Sequence, residues 1–146
     1  MFNNILVLCT GNICRSPIVE GVIANGLAAD PTKYVWSAGI GALVGRGAHS
    51  NSKTVSGAHG VDLQSHVAQQ LNSLMVGKAD VILVMDDGHL GYMRAKYPQA
   101  SGKTFLLGRW SDNAQVPDPI GKELPEFEKT WEIVQPLCKD WIKRLA

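Results

Sequence analysis

The chain has 146 residues, 45% hydrophobic and 18% charged, with 14 basic against 13 acidic side chains for a net charge of +1. That length fits one domain spanning 1–146, able to bury roughly two thirds of its unfolded surface. The balanced charge argues against a nucleic-acid or membrane-surface partner. No apolar run approaches the ~18 residues of a membrane span, and three cysteines do not make a disulfide framework. Nothing at the N-terminus has the basic-then-apolar pattern of a secretory leader, so a reducing, cytoplasmic setting is expected.

Strands and helices alternate along the chain. Ile5–Leu8 is a continuous apolar run, the pattern of a strand buried on both faces. Ile18, Val19, Val22, Ile23 and Leu27 then recur at helical spacing until Asp30-Pro31 breaks the pattern. Tyr34–Ser37 reads as a second strand. Gly39–Gly47 reads as a loop with four glycines. Asn51–His59 predicts a helix ended by Gly60, and Val67, Leu71, Leu74 and Met75 predict a further short helix. Asp80–Met85 is the clearest buried strand. Asp86–Tyr97 predicts a helix stopped by Pro98, and Thr104–Leu107 a fourth strand. Gly108–Leu124, with Pro117, Pro119 and Gly121, reads as loop. Phe127, Trp131, Val134, Cys138, Trp141, Ile142 and Leu145 form the apolar stripe of a terminal helix, with a kink expected at Pro136. This order predicts an α/β doubly wound fold on a parallel sheet.

The densest chemistry lies in Cys9-Thr-Gly-Asn-Ile-Cys-Arg-Ser16. It joins the first strand to a helix start, a place where backbone N–H groups and the positive end of the helix dipole converge on one point. That point suits a phosphate dianion, with Cys9 at its base and the end of a strand beneath it, where doubly wound sheets bind ligands. Amides, a helix N-terminus and Arg15 are the surroundings that lower a cysteine pKa from ~8.5 to about 3.5–7.5. Arg15 offers a planar fork for two phosphate oxygens. Ser16 can donate to the sulfur and also suits the helix N-cap, with Pro17 at the first helical position. Gly11 permits a tight path, and Asn12 tolerates the left-handed conformation.

A thiolate attacking a phosphate monoester needs an acid for the leaving oxygen. Val116-Pro117-Asp118-Pro119 supplies a candidate, with two prolines stiffening the backbone around Asp118. Cys14, five residues from Cys9, is a candidate disulfide partner that would shield the thiolate from over-oxidation. His49, His59, His66 and His89 share no ligand spacing with the cysteines and read as scattered surface residues, so neither a metal site nor a cofactor is expected. Trp110, just past the fourth strand, is a candidate edge of the active-site loop.

With these segments together, the chain resembles the low-molecular-weight protein tyrosine phosphatases over nearly its full length. The likeness rests on 9–16, Ser37-Ala38-Gly39, the stretch 62–69 with His66, the stretch 80–86, and Asp118-Pro119 before a terminal helix. Gly39-Ile-Gly-Ala-Leu-Val-Gly-Arg-Gly47 looks like the bacterial branch linked to exopolysaccharide export and its tyrosine kinases. The resemblance implies four parallel strands in the order 2-1-3-4 with helices on both faces, and hydrolysis of phosphotyrosine through a cysteinyl-phosphate (EC 3.1.3.48). Cys9 would be the nucleophile, Arg15 the phosphate clamp and Asp118 the acid, then base. Thr10, Gly11, Asn12, Ile13, Cys14 and Ser16 would form the phosphate loop. Asn12, Ser37 and His66 would hold it by hydrogen bonds, with Glu20 pairing His66.

The implied partners are phosphotyrosine proteins, among them a bacterial tyrosine kinase, and a monomer is expected. Members often place aromatic residues after the Asp-Pro; here Ile120 and Gly121 stand there, and Leu43 forms the opposite wall, so the slot is aliphatic. Three other readings stay open beside this one. Arsenate reductases share the loop but need two further cysteines near the third strand, absent here. Protein-arginine phosphatases carry Thr where this chain has Ile13. A non-catalytic phosphate-binding module would lack the acid or the nucleophile.

Overall fold

A computed structural model of the chain describes residues 2–146. Four strands, β1 (Asn4–Cys9), β2 (Tyr34–Gly39), β3 (Val81–Val84) and β4 (Thr104–Leu106), form one sheet in the order β2-β1-β3-β4. Every pairing is parallel. Cys9 stands opposite Gly39, and Leu8 opposite Val84, so Cys9 emerges at the carboxyl edge of a central strand.

The apolar run of β1 follows from its two cores. Ile5, Val7 and Cys9 face one layer, formed by α1 (Arg15–Gly26), α2 (Ser50–Gly57) and α5 (Leu124–Leu145). Leu6 and Leu8 face the other, with Val76, Met93 and Ala100 from α3 (Ser73–Lys78), α4 (Asp87–Lys96) and the 3₁₀ turn Pro98–Lys103. Each of these β1 side chains is fully buried or nearly so, which stabilises by about 1.5–3 kcal/mol for a large aliphatic side chain. No helix among the described residues is long and apolar enough to cross a membrane.

Several expectations need correction. The helix expected through Val67 and Leu71 forms only at Ser73–Lys78, and Val67 is 60% exposed. Residues 61–72 serve instead as extended wall: Gln70 bridges Gly39, and Ala68 exchanges backbone hydrogen bonds with Arg46 and Gly45. Helix α1 begins at Arg15 with Cys14 as N-cap and no side-chain cap, so Ser16 lies inside the first turn and not at the N-cap. Helix α5 runs on through Pro136, which lies on its solvent side. Trp110 does not border the Cys9 loop; it packs against Trp141 and under the Arg144 guanidinium, 3.9 Å from its ring centre.

Gly39 is fixed by close approach: a Cβ there would lie 2.5 Å from the Thr10 carbonyl oxygen and 3.0 Å from Ala42. Both obstacles include backbone, so relief requires moving the loop. Gly39→Ala is expected to cost about 1–3 kcal/mol in urea unfolding and to depress turnover with it. Wild-type stability in that variant would show that the approach is relaxed.

Candidate active site

The 9–15 loop is held from outside. The carbonyls of Cys9, Thr10 and Gly11 accept from the amides of Ile40, Gly41 and Leu43 at 3.1, 3.0 and 3.0 Å. The Asn12 carbonyl lies 2.7 Å from His66 Nε2, the Ile13 carbonyl accepts from the His49 amide at 2.8 Å, and the Cys14 carbonyl from Ser52 Oγ at 3.1 Å. No described peptide is cis. In a trans peptide the N–H points opposite to the carbonyl of the preceding residue. Six outward carbonyls therefore turn the amides of residues 10–15 toward the centre of the loop. Asn12 makes the turn possible with φ of 59°.

Asn12 is also the inner brace. Its Oδ1 accepts from the Gln69 amide at 2.9 Å, which places Nδ2 toward Ser16 Oγ (2.8 Å) and Ser37 Oγ (2.9 Å). Ser16 Oγ, already accepting, has its own proton for Cys9 Sγ, 2.9 Å away. Ser37 in turn donates to Glu20 Oε1 at 2.5 Å. Glu20 thus meets Ser37 rather than pairing with His66, which spends its Nε2 on the loop carbonyl. Burial raises the Glu20 pKa above the usual carboxylate range, against the Ser37 hydrogen bond and the charge of His66.

Arg15 is 2% exposed and runs under the pocket. Its Nη1 donates to Asp86 Oδ2 and to the Val116 carbonyl, both at 2.9 Å. That anchors one side of the guanidinium and leaves the other edge. Nε, although buried, has no partner, and Nη2 lies 3.6 Å from Asp118 Oδ2. The Nε/Nη2 edge, which makes no hydrogen bond of 3.5 Å or less, has the fork geometry that suits a tetrahedral oxyanion. Asp86 was not singled out as a site residue, yet it caps α4 and orients Arg15. Burial works against its ionised form, but the His89 amide, the Arg15 guanidinium and the neighbouring charges hold its pKa below the usual range.

The pocket above the loop has a volume of about 200 Å³. Cys9, Thr10, Gly11 and Cys14 line its floor with Arg15, and Ile13, Leu43, Ile120 and Asp118 its walls. Asn12 and Ser16 are fully buried behind the loop, so their side chains brace it and do not line the pocket. Asp118 is 39% exposed on a turn that its own Oδ1 closes by accepting from the Ile120 amide at 3.0 Å. Cys14 is a free thiol in this structure; burial, then the charges of Asp118 and Cys9, push its pKa up to about 12. His89 is no surface residue. It is 2% exposed, with Nε2 3.0 Å from Thr10 Oγ1.

The profile of the family described as low molecular weight phosphotyrosine protein phosphatase matches residues 4–146. The chain belongs to that family. It is 39% identical to the low molecular weight protein-tyrosine-phosphatase Etp of Escherichia coli K12, over 99% of this chain and 96% of Etp. The solved structure of Vibrio vulnificus Wzb in complex with benzylphosphonate superimposes with a TM-score of 0.93 at 38% identity, covering 99% of this chain and 100% of that one. The tyrosine phosphatase Wzb from Escherichia coli K30 in complex with sulphate gives 0.94 at 37% identity, with both chains fully covered.

Glu20 allows a sign to be worked out. A carboxyl whose folded pKa is raised takes up its proton on folding. Its favourable contribution is complete below the unfolded value near 4.5 and is lost as pH rises through the folded one. Glu20→Gln keeps an acceptor for Ser37 without the charge. The variant should gain in melting temperature relative to wild type as pH rises from below 4.5 to neutral. A constant difference across that range would mean Glu20 titrates as it does in the unfolded chain.

Proposed function

We propose that this phosphatase-family chain hydrolyses phosphotyrosine in proteins through a cysteinyl-phosphate at Cys9. The observation that carries the reading is the convergence on one point of six loop amides and the Nε/Nη2 edge of Arg15, with Cys9 Sγ below and Asp118 above. Cys9 Sγ forms a bond to phosphorus in line as the bond to the tyrosine oxygen breaks. Asp118 gives its proton to that oxygen. Water then attacks phosphorus, Asp118 takes the water's proton, and the sulfur leaves as thiolate with its negative charge met by the Ser16 hydroxyl. The amides and Arg15 hold the equatorial oxygens where charge develops, the kind of fixed dipole array that lowers such barriers most.

Ile13, Leu43 and Ile120 make the slot apolar, which favours an aryl phosphate over a guanidinium-borne one. The shorter phosphoserine would leave its phosphorus short of Cys9. Cys14 stands at the pocket floor as a partner for Cys9 in a protective disulfide. The full-length likeness to Etp and Wzb supports a role opposite a bacterial tyrosine kinase in exopolysaccharide production or export. A monomer acting in the cytoplasm fits that role.

Hydrolysis of phosphotyrosine, phosphoserine and phosphoarginine peptides side by side tests the substrate class; a higher kcat/KM for phosphoarginine would transfer the reading to the protein-arginine phosphatases. Cys9→Ser is expected to abolish turnover while retaining binding of a phosphate analogue, and normal turnover would remove the covalent mechanism. Asp118→Asn should lower kcat by roughly 10²–10⁴, and by less for leaving groups that need no proton. An equal loss for every leaving group would assign Asp118 to positioning alone. Ile120→Tyr should lower KM for aryl phosphates several-fold, since ring stacking contributes about 0.5–1.5 kcal/mol; an unchanged KM would place Ile120 outside the ring's path.

A further inference from the structure

The first turn of α4 holds a buried imidazole that the reaction above does not use. Asp86 caps the helix by accepting the His89 amide on Oδ1 at 2.9 Å. The His89 ring folds back, and the Met85 amide donates to its Nδ1 at 3.3 Å. The arrangement is a capping box displaced by one residue: the N3 side chain, here histidine, reaches back past the Asp86 N-cap to the amide of Met85. The Asp86 oxygen 3.4 Å from Nδ1 is the one already engaged by the His89 amide. A proton on Nδ1 would oppose the buried Met85 N–H and cost that amide its acceptor. The proton of the neutral ring therefore sits on Nε2. Burial supports the neutral form, lowering the His89 pKa, with Arg15 acting in the same direction and Asp86 and Asp118 opposing.

Nε2–H then faces Thr10 Oγ1 at 3.0 Å and donates to it. A hydroxyl that accepts from the ring has its own proton turned away from the ring. Thr10 lines the pocket beside Cys9 and Arg15. We propose that His89 is a positioning residue that holds the Thr10 hydroxyl as an added donor to a phosphoryl oxygen. The same helical turn already anchors Arg15 through Asp86, so both ends of the 9–15 loop take their orientation from the start of α4. The inference deepens the reading of this loop as a phosphate site and rests on it.

Four variants and one spectrum test it: Thr10→Val, His89→Asn, His89→Gln and the double Thr10→Val/His89→Asn, assayed with an aryl phosphate and with inorganic phosphate as inhibitor. Val removes the hydroxyl at constant shape. Asn keeps an acceptor near Nδ1 but cannot reach Thr10, whereas Gln carries an N–H close to the Nε2 position. Thr10→Val and His89→Asn should each lower kcat and weaken phosphate inhibition by about ten-fold, the low end for a hydrogen bond to a charged group. The double variant should be no worse than either single, and His89→Gln should stay within about two-fold of wild type. Ring-nitrogen NMR should show the Nε2–H tautomer, with the Nε2 resonance shifted in Thr10→Val.

Wild-type kinetics in Thr10→Val, multiplying effects in the double variant, or an Nδ1–H ring would each overturn the proposal. Should His89→Asn melt early, Thr10→Val and the spectrum decide it. A wild-type protein that binds phosphate without hydrolysing aryl phosphates would count against the proposed enzyme alone, since the inhibition and tautomer readouts still judge His89.

Discussion

The peptide plane is the constraint on which this site depends. A loop of seven residues presents its amides to one point only if its carbonyls have somewhere else to go. Here each of six consecutive carbonyls has a partner on the outer side. Left without partners, buried carbonyls would cost about 1–3 kcal/mol each, more than a small domain can carry. The 39–49 loop and the 61–72 wall are thus part of the site although, apart from Gly41 and Leu43 on the rim, they stay out of the pocket. Their glycines and irregular course follow from having to lie against another backbone, as the contact between Gly39 and the Thr10 carbonyl shows.

Around that constraint the charges are arranged in series. Asp86 holds Arg15, and Arg15 also holds the root of the Asp118 segment through the Val116 carbonyl. The guanidinium therefore joins three stretches of chain that are far apart in sequence, and keeps Nε without a hydrogen-bond partner while doing so. On the other side, the Glu20–Ser37–Asn12–Ser16 chain ends at the Cys9 sulfur. The Cys9 sulfur is thus braced from the β2 side of β1, through Ser37, and the Arg15 guanidinium from the β3 side, through Asp86.

Much of this was legible in the residues. The Cys9–Ser16 segment is local, so its loop, its left-handed Asn12 and the contact of Ser16 with the sulfur could be read from neighbours in sequence. The two central strands of the parallel sheet, β1 and β3, declared themselves through uninterrupted apolar runs, and the order of the strands came from the likeness to a family. What stayed hidden is tertiary. His89 is 79 positions from Thr10 and carries no pattern that separates it from an exposed histidine. Four of the six carbonyl anchors are backbone amides, which leave no signature in side-chain types. The apolar residues between Val67 and Met75 mimic one helical stripe, yet 67–71 is drawn out by pairing with its neighbour loop and only the end of the stretch enters α3. Trp110 stands close to the acid segment in sequence, but the turn at Asp112 and Asn113, both at positive φ, carries the chain away from it.

The two halves of the pocket have different lifetimes built into them. Strand β1 has a partner on each edge and a core on each face, so Cys9 sits in the part of the molecule that opens only when the whole domain does. Asp118 belongs to a stretch from Pro117 to Glu123 that is mostly exposed and held by a few short-range hydrogen bonds. Amide exchange would record one as among the slowest regions of the chain and the other as among the fastest. In the proposed reaction a fixed sulfur and a carboxyl that serves leaving group and water in turn would thereby fall at opposite ends of the protein's range of local stability.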